Sequence, residues 1–138
     1  MADPKGEGLE LGFDGSLRLE FHGAKVTSDA GLLAYRDLDE ALGLFDRVPF
    51  VFHDSRTGRN IQHHLTALLR QSGYSRLAGY EDVNDAHRLS VDPTMRRITG
   101  KKLDDKNAAS ANTMGRFETH MLSVQDNLKA LSEVNGRW

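Results

Sequence analysis

The sequence predicts a mainly α-helical domain, and three observations predict it. Apolar residues recur at three- and four-residue intervals through most of the chain. Ser, Thr, Asp, Gly and Pro punctuate those runs where helices start and stop. Strand-like alternation is confined to residues 9–21. About six helices in one compact module, with a short N-terminal β-hairpin, is therefore the expected architecture. The chain of 138 residues suits one domain, since about 100 to 150 residues is the usual size.

The elements follow in order. Residues 1–8 lack periodicity and read as a flexible tail, which leaves 9–138 as the helical domain. Leu9, Leu11 and Phe13 precede an Asp14–Gly15 turn signal, and Leu17, Leu19 and Phe21 follow it, the pattern of two short strands. Thr27, Ser28 and Asp29 can cap a first helix running from about Asp29 to Leu42, with Leu32, Tyr35, Leu38 and Leu42 at helical spacing and Gly43 at its end. Phe45 to His53 is an apolar connector, strand or buried loop. A second helix is expected from Thr57 or Gly58, on the spacing of Ile61, Leu65, Leu68 and Leu69, with Arg59, His63 and Arg70 on its opposite face and Gly73 breaking it. Leu77, Val83, Ala86 and Leu89 suggest a shorter helical stretch interrupted by Gly79, with Asp82 capping residues 83–90. Asp92–Pro93 starts a further helix that Gly100 closes, because aspartate caps and proline lacks only an amide that the first turn leaves unpaired. After a polar loop from Lys101 to Asn107, Ser110 caps a helix bearing Met114, Phe117 and Met121. Ser123 and Asp126 resemble a capping box ahead of Val124, Leu128 and Leu131, in a last helix that Gly136 ends.

Composition narrows the chemistry. Without cysteine there are no disulfides, thiolate zinc sites or cysteine nucleophiles. No apolar run approaches the ~20 residues that span a bilayer, and the opening MADPKGEG has no hydrophobic signal core, so a cytoplasmic location without membrane contact is expected. Net charge is −2, but its distribution is uneven. Residues 1–54 hold five Lys or Arg against eleven Asp or Glu, a balance of −6, whereas residues 55–138 hold thirteen against nine, a balance of +4. The basic half can meet phosphate while the acidic half faces elsewhere; ordinary surface scatter gives the same tally.

Candidate reactive groups fall short of an active site. Glu81, Asp82 and Asp85 are the densest carboxylates, yet Asp82 and Asp85 also suit the positive end of a helix. Asp104 and Asp105 lie between lysines in a solvated turn. His63 and His64 point about 100° apart on a helix, and His22, His53, His87 and His120 show no ligand spacing. Ser72, Ser75 and Ser90 lack a glycine-flanked elbow, and Thr57-Gly58-Arg59 is no phosphate loop. No catalytic or metal-ligating residue is assigned. Basic side chains remain: Arg56, Arg59, His63, Arg70, Arg76, Arg96, Arg97, Lys101 and Lys102 are the candidates for DNA contact, beside the plainer reading of a solvated helix face.

The runs Arg59 to Leu65 (RNIQHHL), Leu68 to Gln71 (LLRQ), Arg76 to Asp85 (RLAGYEDVND) and Leu89 to Pro93 (LSVDP), followed by Ala108 to Glu118 (AASANTMGRFE), carry a resemblance. So does the earlier FHGAKVTSDAGLLAYRDLDEALGL. In this order they resemble the front of the group 1 DDE-domain transposases of bacterial insertion sequences, over nearly the whole chain. The resemblance implies an enzyme that binds the terminal inverted repeats of its element and moves it by metal-dependent strand cleavage and joining. Three acidic residues in an RNase-H-like domain carry that reaction in the family, with Mg2+ implied for the full-length protein. That domain is expected to be absent here, since the chain ends about where the first catalytic strand would begin; the chain alone is expected to be inactive in strand transfer and to need no cofactor.

Within the resemblance, Gly79, Tyr80, Glu81, Asp82, Asn84, Asp85, Asp92, Pro93, Arg116, Phe117 and Glu118 are expected to be structural: caps, a tight Gly79–Tyr80 corner and helix docking. The partners implied are double-stranded DNA and either a second copy or the remaining transposase domain, in a bacterial cytoplasm with nucleoid association when DNA is bound. The rival expectation is a protein–protein interaction module without DNA binding, a domesticated or inhibitory remnant, marked by an exposed apolar patch in place of a continuous basic strip.

Overall fold

In this computed structural model, residues 9–19, 31–58, 61–100 and 107–134 are described, and among them the chain is mainly helical, with seven α-helices. They are α1 (Leu32–Leu42), α2 (Leu44–Arg47), α3 (Leu65–Leu77), α4 (Ala86–Leu89), α5 (Pro93–Thr99), α6 (Ala111–Phe117) and α7 (Gln125–Val134). Short 3₁₀ turns at Val48–Phe50 and Val83–Asp85 and a π-helical turn at Glu118–Leu122 connect them.

Among the described residues, the hairpin of alternating strands expected over Leu9 to Phe21 is not supported beyond a two-residue pairing. Only β1 (Leu9–Glu10) and β2 (Arg18–Leu19) pair, antiparallel through Leu9–Leu19 and Glu10–Arg18, and Phe21 lies outside the described residues. So short a ribbon cannot hold itself together. It is pinned to the helices instead: Leu11 is buried, the Gly12 N–H donates to Asp37 Oδ1, and the Phe13 ring lies 4.8 Å from the Arg36 guanidinium carbon.

α3 is the hub, because it is buried nearly all round. Leu65, Leu68 and Leu69 meet Val48, Phe52, Ala86, Met114, Phe117 and Met121 on one side, while Tyr74 meets Leu32, Leu89, Met95 and Ile98 on the other. Phe45 borders both clusters, its ring centroid 5.6 Å from that of Tyr74. Two expectations about this helix are corrected. It does not begin at Thr57 or Gly58, because Gly58 has φ +153°, outside the helical region. Nor does Gly73 end it; a side chain there would stand 3.1 Å from Phe45 Cζ, so glycine serves the close approach of α2. Termination comes at Gly79 (φ +89°), whose N–H bonds Arg76 O while the Tyr80 N–H reaches back to Ser75 O at 2.9 Å, the paired bonds of a Schellman ending.

α1 departs from the usual arrangement, in which the apolar stripe faces the core. Its buried face carries Arg36 and Asp39 beside Leu32, whereas Tyr35, Leu38 and Leu42 are 52%, 53% and 41% exposed. The buried charges are matched across the fold. Asp39 Oδ2 accepts from Arg70 Nε at 2.9 Å and lies 3.7 Å from Arg36 NH1, and Asp39 Oδ1 accepts from the Phe45 N–H at 3.0 Å. Glu40 and Asp46, at the rim, take Arg36 NH1 at 2.8 Å and Arg70 NH2 at 3.3 Å. Burial, and then the nearby Asp39 carboxylate, push the Tyr74 phenol well above its ordinary pKa.

The later helices start on side-chain caps: Asp92 Oδ1 accepts from the Met95 N–H at 2.9 Å, and Ser110 Oγ from the Thr113 N–H at 3.4 Å. α7 is different. Ser123 donates its hydroxyl back to Thr119 O, so no capping box forms with Asp126, and Val124 and Leu128 face solvent while Asn127, Leu131 and Val134 turn inward. The reason is Asn127: its Oδ1 accepts from the His53 N–H at 2.8 Å and its Nδ2 donates to His53 O and Met121 O at 3.0 and 2.9 Å. A buried carboxamide that satisfies two irregular backbone segments sets the rotation of the helix.

Candidate nucleic-acid interface

A recess of about 1050 Å3 opens between Phe52, Asp54 and Arg56, residues 61–64, the start of α3, the end of α5 and residues 107–109. Its floor is apolar, with Phe52, Leu65, Leu68 and Ala109. Its lip is polar and partly cationic: Arg56, His63, His64 and Arg96 line it with Gln62, Thr66 and Asn107. These side chains come from elements distant in sequence.

Arg56 organises the near wall. Its Nε and NH2 donate to the two oxygens of Asp54 at 2.9 and 2.6 Å, and its NH1 donates to His63 O at 2.6 Å. The clamp ties Asp54 and Arg56 to His63, just before α3 starts. The Arg56 hydrogen bonds hold the Asp54 carboxyl below its ordinary 3.8. Its folded pKa being depressed, the clamp contributes stability at pH values above 3.8 and loses it as the pH falls further. Asp54→Asn is thus expected to lower the melting temperature at neutral pH, with the gap from the parent closing below pH 4; a gap constant across that window would show the clamp to be electrostatically idle.

The basic residues singled out in the sequence separate on folding. Arg56, His63, Arg70 and Arg96 border the recess, Arg70 from its buried base. Arg70 does not lie on an exposed face as expected: its side chain is 2% exposed, paired with Asp39 and Asp46 inside the protein. Arg76 turns to the far side of α3, where NH1 bonds Glu118 Oε1 at 3.0 Å and Ser72 Oγ at 2.6 Å. Arg97 is half-buried at the end of α5 and is not among the lining residues. Arg59, Lys101 and Lys102 lie outside the described residues. A continuous basic strip along the second helix is therefore not what the structure presents, because α3 starts after His63 and carries Arg70 inward. His64, which sequence reading passed over as a DNA contact, joins the lip; its place just before the Leu65 apolar run was the only available signal.

The two most recognisable sequence blocks meet against α3. Tyr80 lies half-buried with the Arg88 guanidinium carbon 5.3 Å from its ring centre. Asp82 accepts from the Asn84 N–H at 2.9 Å and from Asn84 Nδ2 at 3.1 Å, which holds its carboxyl below the usual range. Glu81 is exposed, and Asp85 approaches Arg88 at 4.0 Å. Across from them Phe117 is buried, Arg116 is exposed, and Glu118 takes Arg76 and Ser72. Pro93 opens α5. The carboxylates do not fit a Mg2+ centre: both Asp82 oxygens are engaged by Asn84, and no three His, Asp or Glu side chains converge among the described residues. No helix among the described residues is long and apolar enough to cross a membrane.

Fold and recess together define a mainly helical module with a partly cationic hollow beside its central helix. Residues 9–138 match the family described as transposase DDE domain group 1, and the chain belongs to that family. No curated protein and no solved structure matches it. Its role is accordingly transposase-related.

Proposed function

We propose that this chain is an end-recognition and assembly module: residues 9–138 form one N-terminal helical domain that binds duplex DNA at the terminal inverted repeats of its element. The observation that carries the reading is the convergence of Arg56 and His63, before α3, with Arg96, at the end of α5, on one recess, where Asp54 pairs with Arg56. Cations gathered on one side of a fold supply the salt-dependent part of DNA affinity. In this reading the catalytic acidic triad and its Mg2+ belong to residues outside the chain, and the protein works on the bacterial nucleoid.

Fluorescence anisotropy with inverted-repeat and scrambled duplexes, at several salt concentrations, tests it. Preference for the repeat and a steep salt slope are expected, and Arg96→Ala should reduce that slope by about one, the effect of one lost phosphate contact. Absence of binding to either duplex would overturn the reading. The second reading, a protein-interaction module without DNA binding, is favoured by one observation, the exposed apolar side of α1 together with the withdrawal of Arg70 from the surface.

A further inference from the structure

The turn that follows α2 carries three exposed apolar residues in a row, Pro49, Phe50 and Val51, and Phe50 is 89% exposed. Such a run is unfavourable in water unless function covers it. Nor can it fold inward. Val48 and Phe52 on either side are committed to the core, and the Val51 and Phe52 N–H groups both donate to Val48 O, at 3.0 and 2.8 Å. One residue further, Asn127 holds both backbone groups of His53. The ring therefore stands on a fixed stem beside the recess that Pro49 and Phe52 line.

Its surroundings are basic. Residues 44–71 hold four arginines against two aspartates, and each aspartate is already occupied, Asp46 by Arg70 and Asp54 by Arg56. Arg47 is exposed and precedes Phe50 by three residues, which brings the two side chains to one side of a 3₁₀ turn. Arg96 borders the recess. On the other flank α7 exposes Asp126 and Lys129, whose charges balance. A tip one ring wide needs a slot rather than a flat surface, and the arginines beside it select a slot flanked by phosphates. We propose that Phe50 is a wedge: it enters between two base pairs of the bound duplex and unstacks that step, while the cations beside it hold the flanking phosphates. The wedge deepens the DNA reading of the recess and rests on it.

Inverted-repeat duplexes carrying 2-aminopurine at successive positions test it with the full chain, because this base brightens when it leaves the stack. The parent is expected to brighten one step on binding. Phe50→Ala should lose that signal and bind about tenfold to a hundredfold more weakly, the range for one lost aromatic–base contact. Its salt slope, melting temperature and circular dichroism should stay those of the parent, since no phosphate contact and no core contact is removed. Phe50→Leu, still an apolar wedge, should recover most of the affinity and the brightening. Equal affinity and equal brightening for the parent and Phe50→Ala would overturn the wedge. So would self-association that Phe50→Ala abolishes while duplex binding is unchanged, which gives the tip to a protein contact. Preference for the repeat with no brightened step overturns the wedge alone and keeps DNA recognition, whereas failure to bind any duplex removes both.

Discussion

Asp39→Ala is expected to cost about 3–5 kcal/mol, the penalty for removing one partner of a buried ion pair. The side chains of Asp39, Arg36 and Arg70 are only 2–3% exposed, and Asp39 is the one carboxylate buried with both arginines. Without it, the carboxylates left to the two guanidinium groups among the described residues are Glu40 and Asp46, each 45% exposed at the side chain. The Phe45 N–H loses its acceptor at the same time. Urea denaturation measures the effect as a drop in midpoint at constant slope. The triple change Arg36→Met, Asp39→Leu, Arg70→Met is the informative companion: replacing a whole buried charge cluster with apolar side chains is often neutral or better. A loss below about 1 kcal/mol for Asp39→Ala would show that water reaches the cluster.

Gln71→Leu is the second large effect, at about 2–4 kcal/mol. Gln71 is buried on α3 and meets Ala109 reciprocally: Nε2 donates to Ala109 O at 2.7 Å, and Oε1 accepts from the Ala109 N–H at 2.8 Å. Ala109 is also buried, so leucine would fill the space while stranding one backbone donor and one acceptor. Gln71→Glu separates the contributions, since it keeps an acceptor for the N–H and sets a carboxylate against the carbonyl. Thermal melts of the two variants should both fall well below the parent; a melt for Gln71→Leu within a degree of it would mean that residues 107–109 re-pair elsewhere.

Local chemistry made much of this fold legible. Asp82, Asp92 and Ser110 announce helix starts by what an oxygen does for amides two or three residues on, and the Gly79 corner needs a residue that tolerates positive φ. Long-range matching was not legible. Tyr35, Leu38 and Leu42 read as a stripe of ordinary spacing, and nothing within α1 says that Arg36 and Asp39 will face inward. That follows from Arg70, 31 residues further on, which makes burial of Asp39 favourable. Gly73 read as a stop for the same reason, because the Phe45 ring that requires it is distant in sequence. The DNA-contact candidates were chosen by charge alone, and folding sorts them by partner: Arg70 goes to Asp39 and Asp46, Arg76 to Glu118 and Arg56 to Asp54, while Arg96 stands at the recess.

Gln71 and Asn127 do the work of missing β-ladder rungs, each holding the N–H and the C=O of one residue in an irregular segment. This ties the chemical ageing of the protein to its folding. Hydrolysis of either carboxamide leaves a carboxylate that accepts but no longer donates, opposite a carbonyl oxygen. A chain that has deamidated at Asn127 is expected to meet that mismatch at His53 when it next folds.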